Sequence, residues 1–136
     1  MTVRDLQHQL IEDYGFIENR QERLGAIVDA ARTQPTFSED ERNETHLVPG
    51  CTSRVWLIGE YTEGVCRFRS DCDSPMVRGL VALLCKSYDG VAPADAASTA
   101  SAVLEELGVT RDLSPTRQNG LAAVRQRIAA LARGWM

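Results

Sequence analysis

No run of apolar residues in this 136-residue chain approaches the ~20 needed to cross a bilayer. The first residues form a polar, charged segment in place of an apolar secretion signal, so the expected location is cytoplasmic, with no membrane as a partner. Positive charge is short as well: 15 basic side chains stand against 19 acidic ones, for a net charge of -4. A phosphate backbone is therefore not a favoured partner, and no nucleic acid is expected. Closely spaced cysteine pairs of the kind that build a zinc knuckle are lacking among Cys51, Cys66, Cys72 and Cys85. With no oxidising compartment indicated, the four are expected as reduced thiols, with no structural metal. Low-complexity linkers and internal repeats are missing too. A chain of this length with 43% apolar content holds one core and not two, which gives a single domain over residues 1–136.

What is present is a series of amphipathic segments. Val3, Leu6, Leu10 and Tyr14 recur at helical spacing before Gly15, which predicts a helix over about residues 2–14. Ile17, Leu24, Ile27, Val28 and Ala31 form a second stripe that stops before Pro35, so an antiparallel helical hairpin joined through Gly15 is expected. Residues 38–44 are acidic and polar and read as a solvated turn, and Thr45–Val48 as a short strand. Alternation then predicts strands over about residues 54–61 and 65–70, joined at Thr62-Glu63-Gly64, with Arg67 and Arg69 on the wetter face. Ser74-Pro75 and Ser114-Pro115 each pair an N-cap residue with proline at the first helical position. The first opens a helix ending near Gly90 and the second a final helix through Trp135; a helical region between them runs from Pro93 to Gly108. Helices, a small antiparallel sheet of two or three strands, then helices again make the fold class α+β.

The stretch Val48-Pro49-Gly50-Cys51-Thr52-Ser53-Arg54-Val55-Trp56 stands apart, because proline and glycine set one thiol on a turn directly before a strand. Cys51 is thus a candidate for covalent sulfur chemistry, against the ordinary alternative that a cysteine packs as a small buried hydrophobe. Cys66 and Cys85 fit that alternative, one sharing strand parity with Phe68 and the other ending the run Leu80-Val81-Ala82-Leu83-Leu84. Cys72 lies between Asp71 and Asp73, whose charges disfavour its thiolate, so it is the poorer nucleophile. Asp71 and Asp73 read most simply as caps for the helix near Ser74, with Arg117 pairing with them, and His46 as a surface residue. Gly79 and Gly120 fall in helical contexts, where close backbone packing explains a glycine.

Three blocks in register carry a family likeness: Gly50-Cys51-Thr52-Ser53-Arg54-Val55-Trp56, then Ser70-Asp71-Cys72-Asp73 leading into Val77-Arg78-Gly79-Leu80, then Leu113-Ser114-Pro115-Thr116-Arg117 before Gly120-Leu121. In order and spacing they resemble the SufE family across nearly the whole chain. The resemblance implies the fold shared with iron-sulfur scaffold proteins. It also implies a role as sulfur acceptor for a pyridoxal-phosphate, SufS-like cysteine desulfurase, raising its turnover and relaying sulfur to a downstream iron-sulfur scaffold complex. Such a protein is not itself an enzyme and holds no cofactor; the pyridoxal phosphate belongs to the desulfurase. It is expected as a monomer or weak homodimer. Cys51 matches the cysteine that carries the persulfide, with Gly50, Ser53, Asp71, Asp73 and Arg117 as supporting loop residues. Cys72 stands where the family more often has serine, which raises a possible resolving thiol.

Chemically, the acceptor must reach into a partner's pocket, be deprotonated when it attacks, and keep its persulfide from reductants and oxidants between partners. Shielding is expected from a loop that tucks Cys51 against Trp56 or Leu57, with slow alkylation in the free protein and faster alkylation in the complex. Two other readings compete. An iron-sulfur scaffold would use Cys51, Cys72 and a further ligand such as His46, a thin ligand set. An independent thiol enzyme would need a committed base near Cys51, and the sequence offers none.

Overall fold

Thr2 and Asp5 start the first helix reciprocally: each side chain accepts the other's backbone N–H, at 3.1 and 3.0 Å, the capping-box arrangement that satisfies two orphan donors. This helix, α1, runs Val3–Gly15, and α2 (Arg20–Ala31) begins where Asn19 accepts from the amides of Gln21 and Glu22. The computed structural model describes residues 1–50 and 53–136, so Cys51 and Thr52 lie outside the described residues. The expected helical pair forms, yet its members lean mainly on other elements, α1 on α5 and α2 on α3. Gly15 belongs to α1 itself and does not take a left-handed conformation.

Strands β1 (Val55–Thr62) and β2 (Val65–Cys72) form an antiparallel hairpin with Val55 opposite Cys72 and Thr62 opposite Val65. Glu63 and Gly64 turn the chain with φ of 54° and 84°, the paired positive values whose twist matches that of the strands. β2 runs two residues past the expected end, because Asp71 and Cys72 keep their partners on β1. Beyond β1's other edge, Leu47 bridges Trp56, while Val48 N–H donates to Val55 O at 2.8 Å and Leu57 N–H to His46 O at 2.9 Å. The expected short strand before the cysteine turn is this arm. Cys66 closes the edge of β2 by exchanging backbone hydrogen bonds with Gly90 and Val91, so both edges are covered.

Helix α3 (Pro75–Lys86) is the centre of the core: residues Gly79 to Cys85 are all buried, between α2 on one side and β2 on the other. A Cβ on Gly79 would sit 2.8 Å from the Val28 Cα, so the glycine is what lets α2 and α3 approach this closely. The region from Pro93 to Gly108 resolves into α4 (Pro93–Ser98) and α5 (Val103–Glu106). They separate because the intervening amides bond elsewhere: Ser101 N–H donates to Tyr88 Oη, Ala102 N–H to Gln7 and Val103 N–H to the Ser101 hydroxyl. Helix α6 (Pro115–Gly134), capped by Ser114 with proline at its first position, packs on α4, α3 and β1. Arg67 and Arg69 lie exposed on the wetter sheet face as expected, paired with Asp89 at 2.9 Å and Glu41 at 3.0 Å. Among the described residues, no helix is long and apolar enough to cross a membrane.

Candidate functional site

The frame around position 51 is built from both of its flanks. Upstream, Val48 is buried and tied to Val55, and Gly50 adopts φ 88°, a region that residues with a side chain rarely enter. Its Cβ position would lie 3.8 Å from the Ala123 Cβ on α6, so the entry to the loop runs beside that helix. Downstream, Ser53 lines an apolar recess with Val55, Val77, Arg117, Gly120 and Leu121. Arg54 is clamped to the turn after β2: its N–H donates to Asp73 Oδ1 at 3.0 Å, and Asp73 N–H donates to Arg54 O at 3.2 Å. The Val48–Val55 hydrogen bond thus holds together the two described flanks of position 51.

The three matching blocks do converge on this loop, through partners different from those expected. Neither aspartate caps α3. Asp73 serves Arg54, while Ser74 at the helix start makes no side-chain cap, and its own N–H donates to Cys72 Sγ at 3.4 Å. Asp71 pairs not with Arg117 but with Arg42 and Arg78. It is only 1% exposed, and both oxygens are engaged: Oδ2 accepts from Arg42 Nη2 at 2.7 Å, Arg42 Nε at 3.1 Å and Phe37 N–H at 3.0 Å. Oδ1 accepts from Cys72 N–H at 2.9 Å and lies 3.2 Å from Arg78 Nε. Burial works against ionisation here, but the Arg42 hydrogen bond, followed by the Phe37 and Cys72 amides, more than offsets it and holds this carboxyl below its usual range.

Arg117 sits in the first turn of α6, with its N–H donating to the capping hydroxyl of Ser114. It has no ion-pair partner among the described residues, and it lines both the recess under Ser53 and an open groove of about 680 Å3 between the starts of α2, α3 and α6. Arg42 and Arg78 are partners of Asp71 that the sequence reading misses. Arg78 carries a signal, lying in the second family-like block; Arg42, in the acidic segment, carries none.

Two of the other thiols, Cys66 and Cys85, lie in the core as expected. Burial raises the Cys66 thiol, and it pushes Cys85 up to about 12 despite a small opposing effect of the Ser70 hydroxyl. Cys72 is 8% exposed, at the end of β2, with Asp73 Oδ1 4.0 Å from its sulfur. His46 is half-buried, its Nδ1 2.8 Å from the carbonyl oxygen of Glu41. It lies on the arm opposite Leu57, across β1 from Cys72, so two strand spacings of ~4.8 Å separate the backbones of the two ligands that a scaffold would share. The expected packing of Cys51 against Trp56 or Leu57 falls outside the described residues. Of those two neighbours, Leu57 is core, and Trp56 carries the Arg42 guanidinium over its ring, 5.6 Å from the centroid.

A two-stranded sheet under a buried central helix, with further helices packed around them, defines a small α+β protein. The model of the SufE family, an Fe-S metabolism associated domain, matches residues 8–132, and the chain belongs to that family. Its relatives include an uncharacterized SufE-like protein of Rhizobium etli, 31% identical and covering 88% of this chain and 84% of that protein. Another, from Rhizobium meliloti, is 28% identical over 93% of this chain and 94% of its own length. The solution structure of a hypothetical protein from Thermus thermophilus has the same fold, with a TM-score of 0.75 at 19% identity, covering 94% of this chain and 93% of that one.

Proposed function

We propose that Cys51 accepts sulfur from a cysteine desulfurase and carries it as a persulfide to iron-sulfur cluster assembly. In the transfer step the Cys51 thiolate attacks the outer sulfur of the donor's persulfide. A new sulfur-sulfur bond forms on Cys51, the old one breaks, and the donor cysteine leaves as its thiolate. No net oxidation occurs, and the pyridoxal phosphate that first mobilises the sulfur belongs to the donor. Removing the sulfur frees the donor for another round, so acceptance raises desulfurase turnover. The chain acts as a partner of that enzyme in the cytoplasm and not as an enzyme itself.

The observation that carries this reading is that the chain is anchored close on both sides of Cys51: Val48 to Val55, Gly50 beside α6, Arg54 to Asp73. A thiol on such a mount can be presented to a partner's pocket with little conformational entropy lost on docking. Membership of a family associated with Fe-S metabolism supplies the chemical context.

The test is intact-mass measurement after incubation with free cysteine and a SufS-like desulfurase. Wild type gains the mass of one or more sulfur atoms and stimulates sulfide or alanine production; Cys51→Ser does neither. Sulfur added equally to Cys51→Ser would refute the assignment.

A further inference from the structure

We infer that Asp71 is a positioning residue for the sulfur-accepting loop, acting through Arg42 and Arg78. The inference rests on the reading of Cys51 above; it gives Asp71 a specific role there and adds Arg42 and Arg78, which that reading does not use. Five contacts converge on one buried carboxylate from four places in the chain: the amide of Phe37, the guanidinium of Arg42, the amide of Cys72 and the guanidinium of Arg78 on α3. Arg78 also donates Nη2 to Gln34 O at 2.9 Å, so the segment from Gln34 to Arg42 is hung from Asp71 at both of its ends. That segment leads directly into the arm His46–Val48 at the loop's entry.

The exit is referenced to the same point. Trp56 is Asp71's partner across the hairpin, and the Arg42 guanidinium that clamps Asp71 lies over the Trp56 ring. Moving Asp71 therefore moves the entry arm, the exit strand and the start of α3 relative to each other. Stability alone does not account for such a group, because a buried ion pair is often no more stabilising than apolar residues of the same volume. What it supplies is one fixed geometry. The three side chains differ in exposure, Asp71 fully buried, Arg78 at 14% and Arg42 at 40%, so the Arg42 contact can be altered with the least disturbance of the core.

Asp71→Asn and Arg42→Lys test this, the second keeping the positive charge while losing the planar fork that makes two bonds to Oδ2. At saturating concentration over the desulfurase, Asp71→Asn is expected to transfer sulfur about tenfold more slowly, since small misplacements of a reacting group cost this much or more. The concentration giving half-maximal stimulation should change far less, and Arg42→Lys should fall between the two proteins. The remaining thiols supply an internal control: in the free variants alkylation at Cys51 should rise several-fold while Cys85, buried in the core, stays unlabelled.

Unchanged transfer and unchanged Cys51 labelling in both variants would overturn the inference. So would parallel rises at Cys51 and Cys85, which would mean that Asp71 only holds the fold together. If wild type takes up no sulfur, the acceptor reading fails by itself, and selective labelling of Cys51 in the variants still decides whether Asp71 governs the loop.

Discussion

The guanidinium of Arg42 lies 2.7 Å from Asp71 Oδ2 and 5.6 Å from the Trp56 ring centroid, linking a buried carboxylate to the strand that follows position 51. An ionised carboxylate in this setting is held by its partners, so its charge state also contributes to folding stability.

The Asp71 carboxyl is depressed in the folded protein relative to ~3.9 in an unfolded chain. Its contribution is therefore complete above that unfolded value and is lost as pH falls through it towards the folded one. Asp71→Asn should unfold at lower urea than wild type at pH 7, by about 1–3 kcal/mol, and the gap should narrow as pH falls below ~4. Asp5 and Glu41 are also depressed by their hydrogen bonds but are present in both proteins, so they cancel in the difference. Urea midpoints at pH 7, 5 and 3.5 check this; a gap that stays constant with pH would count against a charged Asp71.

Two glycines in helices give opposite expectations for the same substitution. On α3, a Cβ at Gly79 meets Val28 Cα at 2.8 Å and Val28 N at 3.3 Å, backbone atoms that cannot swing aside. Gly79→Ala should therefore destabilise by about 1–3 kcal/mol, outweighing the ~1 kcal/mol gained in helix propensity. On α2, nothing lies within 4 Å of a Cβ at Gly25, and Gly25→Ala should stabilise by about 0.5–1 kcal/mol. Thermal or urea unfolding of the pair settles both signs.

Much of this fold is legible in the sequence because local signals agree with tertiary placement. The cap-plus-proline pairs at Ser74-Pro75 and Ser114-Pro115 mark the starts of α3 and α6, and the turn at Glu63-Gly64 fixes the hairpin. The break between α4 and α5 is not, because it depends on distant partners, Gln7 and Tyr88, that draw amides out of a helix. The partners of Asp71 are hidden for a related reason. Strand alternation puts Asp71 on the same face as Arg67 and Arg69, the face read as wet, but the segment around Phe37 and Arg42 folds over its end and buries it. The positive φ of Gly50 is readable from the Pro49-Gly50 pair, whereas the clamp of Arg54 by Asp73 requires the hairpin register.

Tyr88, 2% exposed, accepts the Ser101 N–H on its hydroxyl at 2.8 Å and stacks its ring edge-on to Phe68. Tyr88→Phe keeps the ring and leaves that buried amide without its acceptor. The expected cost is about 1–3 kcal/mol, with the hairpin and its Phe68 contact intact. Hydrogen exchange at Ser101 should accelerate more than at residues of β1. A variant as stable as wild type, with Ser101 still protected, would mean that another acceptor takes over.

The native thiols should differ in reactivity by position. Cys85 is buried, and its thiol is raised to about 12, so at pH 8 almost none is thiolate, the form that attacks an alkylating reagent. Cys66, also buried and raised, lies beneath the Gly90–Val91 bridge at the edge of β2. Both should label only when the protein opens, so their rates in dilute urea should track the global unfolding equilibrium measured by circular dichroism. Under native conditions Cys66 and Cys85 should then stay unlabelled, and Cys72→Ser should leave their rates unchanged. Rapid native labelling of Cys85, without a matching rise at Cys66, would show that α3 departs locally from the sheet and that the core packs less firmly there than its burial implies.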